Sequence, residues 1–201
     1  VLNGTLDLNG GTLTVRGFLQ VGNPTPTTGT VPRLICATAN GGGTLEVQAP
    51  ASGATDGTLY WFSDAAASVD TGLWRVQGSV FVNPNEPSTR PYTFVLTGTH
   101  LLRLTGNRGT AVQAGSAGIP SGYTTATLLV QNLEVAKTGT GAGAQVDLTL
   151  SDVAVAGTFT LTSGVVNTDT GSGAFVLRLL GGLVTSGGSF TATSWGGFVG
   201  T

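Results

Sequence analysis

Residues 4–21 read GTLDLNGGTLTVRGFLQV, and this stretch decides the fold. Its unit is Gly-Thr, a large apolar residue, any residue, and a second apolar one, followed by a short break that carries glycine. The unit returns as GTLEV at 43–47, GTLYW at 57–61 and GTFTL at 157–161. In each copy the apolar residues sit two apart, so both side chains point to one face of an extended strand. Glycine in the breaks permits the positive φ angles of sharp corners. Short strand, tight corner and short strand, always with one apolar face, is how a chain coils on itself. The expected architecture is an all-β, right-handed parallel β-solenoid (β-helix) with three short strands per turn and roughly 20–25 residues per rung. Short alternating strands also suit an antiparallel β-sandwich, in which sequence neighbours pair through hairpins.

Composition supports this reading and narrows the function classes. The chain has 201 residues, 33 of them Gly, and is 40% hydrophobic, too apolar for a disordered linker. Only 9% of residues are charged, against about 25% in ordinary globular domains. A net charge of −2 leaves no basic footprint for nucleic acid or an anionic membrane. Gly, Pro and β-branched clusters interrupt every potential helix. No apolar run approaches the ~18 residues of a membrane helix, and the strand-like runs fall short of the ~9–11 residues of a barrel strand. The chain opens at Val1 with no initiator Met and no secretory signal in view, as expected for a segment of a longer secreted protein.

One elongated domain is expected over 1–201, with sub-blocks 1–104 and 123–201 on either side of a strand-poor stretch at 105–122. Loops rich in Pro, Thr and Asn fall at 23–32 and 83–91. The section from Tyr60 to Phe94 is aromatic, containing Tyr60, Trp61, Phe62, Trp74, Phe81, Tyr92 and Phe94. A shift of 153 residues superimposes Gly4, Thr5, Leu6, Leu8, Gly11 and Leu13 on Gly157, Thr158, Phe159, Leu161, Gly164 and Val166. That offset reads as a large repeat entered partway at one end and left partway at the other.

The runs NGTLDLNGGTLTV (3–15), LWRVQGSVFV (73–82), THLLRLTG (99–106), QNLEV (131–135) and VAVAGTFTLTSGVVNT (153–168) resemble repeat regions of very large secreted bacterial surface proteins. These are β-solenoids of the filamentous-haemagglutinin and autotransporter-passenger type. The resemblance implies an extracellular, cell-surface location and a structural or adhesive role in a fibre or sheath. The partners it implies are neighbouring repeats or subunits. It supplies no site residues, because such proteins share a backbone pattern rather than a site.

The residues themselves point to little chemistry, and no catalytic activity, cofactor or metal is expected. Asp-Thr-Gly at 70–72 and 169–171 evokes paired protease carboxylates, but those residue types are also what a corner wants. Asp147 and Asp152 read as solvated corner acids, and Cys36, without a second cysteine, as a buried small hydrophobe. The Thr-x-Thr pairs are too irregular for a flat ice-binding face. The serious rival is a carbohydrate-binding or carbohydrate-degrading β-helix, which would need Glu86, Arg90, His100 and Arg103 to converge on one groove. For a binding face, alternation turns Trp61 with Leu59, and Trp74 with Val76, toward the core. That leaves Tyr60 and Tyr92 outward, with Arg75 and Arg90 near them, as the candidate contacts for a glycan.

Overall fold

The structure, a computed structural model, describes residues 2, 4–22, 33–36, 41–51, 57–62, 69–82, 96–114, 127–148, 151–168, 176–191 and 199–200. The chain runs through repeated passes of three short extended segments. The first pass is β1 (Thr5–Asp7), β2 (Thr12–Arg16) and β3 (Phe18–Gly22), and the second is β4 (Arg33–Ile35), β5 (Thr44–Gln48) and β6 (Thr58–Phe62). The third has an isolated bridge at Val69, then β7 (Leu73–Val76) and β8 (Val80–Val82). The fourth brings Leu96 to that face, then β9 (Leu101–Leu104) and β10 (Thr110–Ala114). The fifth is β11 (Thr127–Val130), β12 (Asn132–Ala136) and β13 (Gln145–Asp147), and the sixth is β14 (Asp152–Val155), β15 (Phe159–Ser163) and β16 (Val165–Asn167). The last comprises β17 (Leu177–Leu179), β18 (Leu183–Thr185) and β19 (Ser189–Thr191), after which β20 (Val199–Gly200) returns to the starting face.

Stacking the passes produces three parallel sheets. The first sheet has seven strands in the order β2-β5-β7-β9-β12-β15-β18, and the second seven in the order β3-β6-β8-β10-β13-β16-β19. Among the described residues the third comprises a β1-β4 pair and a four-stranded ladder, β11-β14-β17-β20. Between them, Cys36 bridges Val69, and the Thr97 amide donates to the Val69 carbonyl at 3.1 Å. Every pairing among the described strands is parallel, which rules out hairpin connection and with it the sandwich. The protein is a parallel β-solenoid. Helical structure among the described residues is limited to one 3-10 turn, Gly141–Ala144.

Alternation along each strand fills the interior with columns in register. Leu45, Trp74, Leu102, Leu133 and Phe159 form one column from the first sheet, and Val47, Val76, Leu104, Val135 and Leu161 the next. All ten are buried. Burying a side chain of this size contributes about 1.5–3 kcal/mol, so the columns, and not strand length, hold such short strands together. The corners stack as well. Gly72 has φ 96° just before β7, and a Cβ there would lie 2.4 Å from the Gly43 carbonyl oxygen of the pass beside it. No other residue type fits that corner without moving the backbone.

Three expectations need correction. Successive partners in the first sheet are Thr12 with Thr44, Trp74 with Leu102, Leu102 with Leu133, and Phe159 with Leu183. Of these steps only the last is as short as the expected rung, so most passes are longer than the sequence suggested. The excess lies in the connections, because 23–32 separate β3 from β4 while Gly164 alone separates β15 from β16. The supposedly strand-poor stretch 105–122 contains β10, which pairs with both β8 and β13, so the second sheet crosses it unbroken. The long offset in the sequence maps β1 of the third sheet onto β15 of the first, and β2 of the first onto β16 of the second. It therefore matches one face to the next face and marks a recurring strand-and-corner unit, not a large repeat.

Candidate functional site

The outer faces of the two long sheets differ in chemistry. On the second sheet, register places Gln20, Tyr60 and Phe81 side by side on adjacent strands. Phe18 and Phe62, each two residues from a member of this row, share its outward face. Tyr60 is the hub. Its ring meets Phe18 edge-on at 6.2 Å, lies parallel to Phe62 at 6.2 Å, and tilts against Phe81 at 5.4 Å. Such geometries suit the ring quadrupoles and add about 0.5–1.5 kcal/mol per pair beyond burial. Tyr60 and Phe81 are half-buried, whereas Phe18 is 52% exposed at the margin. The other outward residues on β3, β6, β8 and β10 include Thr58, Ala111 and Gln113, so this part of the face carries no charge.

On the first sheet the corresponding outward row is charged at its middle. Thr14, Glu46, Arg75, Arg103, Glu134 and Thr160 follow one another across six strands. Arg75 Nη1 donates to Glu46 Oε1 at 2.6 Å, and Arg103 Nε and Nη2 both reach Glu134 Oε2 at 2.6 Å. Glu46 also accepts from the Gln48 amide at 3.0 Å and Glu134 from the Thr162 hydroxyl at 3.2 Å. Two adjacent arginines are thus each neutralised from the side away from the other.

Of the four residues read as contacts, Tyr60 is on the outer face of the second sheet and Arg75 on that of the first. The structure does not bring them together. Arg90 and Tyr92 lie outside the described residues, as do Glu86 and the Asp-Thr-Gly at 169–171. The inward assignment of the tryptophans holds, with Trp61 and Trp74 both fully buried. Within the rival enzymatic set, alternation separates His100, buried in the core, from Arg103 on the outer face. Asp147 accepts from the Gln145 and Asn167 amides at 2.5 and 3.0 Å. Asp152 is buried, accepts from the Val176 amide at 2.9 Å and lies 3.5 Å from Arg178, so it is a structural acid and not the solvated one expected. Among the described residues no group of three or more His, Cys, Asp or Glu is placed to hold a metal ion.

Buried polar groups tie parts of the interior together. Cys36 is buried as expected, accepts from Trp74 Nε1 at 3.3 Å, and has its thiol pKa pushed up, mainly by burial. Lys137, the only lysine, is buried where the first sheet turns into the second. Its ammonium donates to the Gln77 carbonyl at 3.2 Å, the Thr105 carbonyl at 2.5 Å and Thr110 Oγ1 at 2.9 Å, which ties three successive passes together. Burial pushes its pKa down to about 8. Sequence reading missed this clip. The one signal available was a solitary lysine beside a run of alternating apolar residues, NLEVAK.

Among the described residues no helix is long and apolar enough to cross a membrane. No protein-family model, no curated protein and no solved structure matches this chain.

Proposed function

We propose that this coil is a structural and adhesive segment of a secreted bacterial surface protein of the filamentous-haemagglutinin and autotransporter-passenger kind, located outside the cell in a fibre or sheath. The observation that carries the reading is the coil itself, in which three parallel sheets and in-register apolar columns run from pass to pass. Each pass buries its apolar face against the next, an architecture that suits stacking on neighbouring repeats or subunits. Sedimentation velocity over a hundredfold concentration range tests this. Association that rises with concentration is the expected result. A chain that stays strictly monomeric, or that turns over a polysaccharide, would overturn the reading. Protease accessibility of the coil on intact cells tests the location.

A second reading rests on the aromatic row. An uncharged surface of Phe18, Tyr60 and Phe81, backed by the buried Phe62 and edged by Gln20 and Gln113, suits stacking against the apolar faces of a neutral glycan. Binding of neutral oligosaccharides that falls at least tenfold in Tyr60→Ala, with Arg75→Ala unchanged, is the expected pattern. Equal losses in both variants would move the site off the second sheet.

A further inference from the structure

Neither reading uses the group in the middle of the core. His100 is the only histidine of the chain, fully buried at the corner before β9. Neither of its ring nitrogens has a hydrogen-bond partner. The imidazole stands at 87° to Trp74 with ring centres 5.0 Å apart, Trp74 packs on Trp61 at 5.7 Å, and its indole N–H donates to Cys36. A neutral imidazole already loses its water there. An imidazolium would add an uncompensated cation among aromatic rings, a far larger cost.

Among the described residues, the charged groups on the surrounding elements do not compensate it. Arg75 on β7 and Arg103 on β9 point to the outer face, where glutamates hold them. Asp70, at the corner before β7, offers its backbone oxygen to the Thr99 amide and has an interaction of its own, and Asp7 on β1 acts on Cys36. None of them bonds to the ring. Among the described residues, the third sheet is joined here by the Cys36–Val69 bridge, by the Asp70 and Thr71 amides donating to the Cys36 carbonyl at 3.3 Å, by the Thr97–Val69 hydrogen bond, and by a long 3.5 Å contact from the Leu96 amide to the Leu129 carbonyl.

We propose that the third and fourth passes form an acid-labile joint: one proton taken up at His100 drives the ring off Trp74 and opens the 96–104 segment locally, while the ladders of the later passes stay closed. Burial lowers the histidine from its ordinary 6.5 to about 3 in the closed coil. An opened segment binds the proton at the ordinary value, so the closed form is favoured above pH 6.5. It loses tenfold per pH unit as the pH falls from 6.5 toward about 3. The proposal does not depend on either functional reading.

The test begins with the unmodified chain. Its single imidazole gives unambiguous ring-proton NMR signals, which should not titrate between pH 7.5 and 5.5. Titration near 6.5 in the folded chain would overturn the proposal. Hydrogen exchange, corrected for its intrinsic pH dependence, should show protection of 101–104 falling about tenfold per unit below pH 6.5, with 152–167 unaffected. His100→Phe should abolish that dependence, and His100→Gln replaces it if the first variant does not fold. A pH dependence that survives the substitution, or loss of protection in both regions at one midpoint, would overturn the joint.

Discussion

Passes two to four and passes five to seven solve the same packing problem by different means. In the later passes, 127–191, single residues such as Gln131 and Gly164 make whole corners, and all three sheets have laddered strands. The coil is tight there, with Leu133 paired to Phe159 and Phe159 to Leu183. In the earlier passes, 33–114, each turn takes more chain, with Trp74 paired to Leu102 and Leu102 to Leu133. In that part the third sheet is joined, among the described residues, by the β1–β4 pair, the Cys36–Val69 bridge and backbone hydrogen bonds from Asp70, Thr71, Thr97 and Thr99. The largest fully buried side chains, Trp61 and Trp74, lie in it too, together with His100 and Cys36. The difference shows that core size follows the course of the chain. Where each turn takes more chain, large rings fill the interior, and where the coil is tight, Leu, Val and one Phe suffice.

The largest effect should come from removing a ring on each side of this divide. Trp74→Ala and Phe159→Ala empty the same interior column and are each expected to cost about 3–5 kcal/mol in urea unfolding. Trp74→Ala should cost more and should open residues 96–104 first by hydrogen exchange, because the larger ring leaves the larger cavity and also packs on Trp61 and His100. Equal costs, or first opening in 152–167, would break the comparison.

Next comes the clip that links the two regions. Lys137→Met keeps the bulk of the chain but leaves the Gln77 and Thr105 carbonyls and the Thr110 hydroxyl without their donor. The expected loss is on the order of 2–4 kcal/mol. The pH dependence sharpens the assignment. Between about 8, the value in the fold, and 10.5 when unfolded, the unfolded chain holds a proton that the folded chain has released. Stability from this group therefore rises with pH across that window. The rise should be absent in Lys137→Met, and a variant with an unchanged profile from pH 8 to 10.5 would show that the lysine is not the titrating group.

The sequence alone reached strand faces and corners but not register. Alternation in GTLYW and LWRVQ placed Trp61 and Trp74 inward and Tyr60 outward, because the side-chain period of a strand is a local property. Which residues become neighbours across strands depends on how much chain is spent in each connection, and nothing local encodes that length. The Gln20–Tyr60–Phe81 row and the Glu46–Arg75–Arg103–Glu134 row were invisible for this reason, although each member is plain in the sequence. TAVQA, which forms β10, has a single large apolar residue and follows the turn-like NRG, so alternation does not mark it as a strand. The reading of Asp152 as solvated failed in the same way, since its partners Val176 and Arg178 arrive from the next pass.

The smallest expected effect lies in the charged row, which crosses the divide from Glu46 on β5 to Glu134 on β12. Both ion pairs are partly exposed, with Arg75 at 42% and Arg103 at 32%, so water and salt screen them. Each should contribute about 0.2–1 kcal/mol. The order within the row makes a sharper claim than the magnitude. Arg75 and Arg103 stand on adjacent strands and repel, and each is held by the glutamate on its far side. Removing one glutamate leaves an unpaired arginine beside another, so Glu46→Gln or Glu134→Gln should cost more than the matching Arg75→Gln or Arg103→Gln. The double substitution Glu46→Gln with Arg75→Gln should recover most of the loss. Raising salt to 1 M should shrink the difference between single variants toward zero. Urea midpoints of the singles and the double at low and high salt decide it. If the arginine variants prove the more destabilised at low salt, the two cations do not repel across the strands, and the row acts as independent pairs.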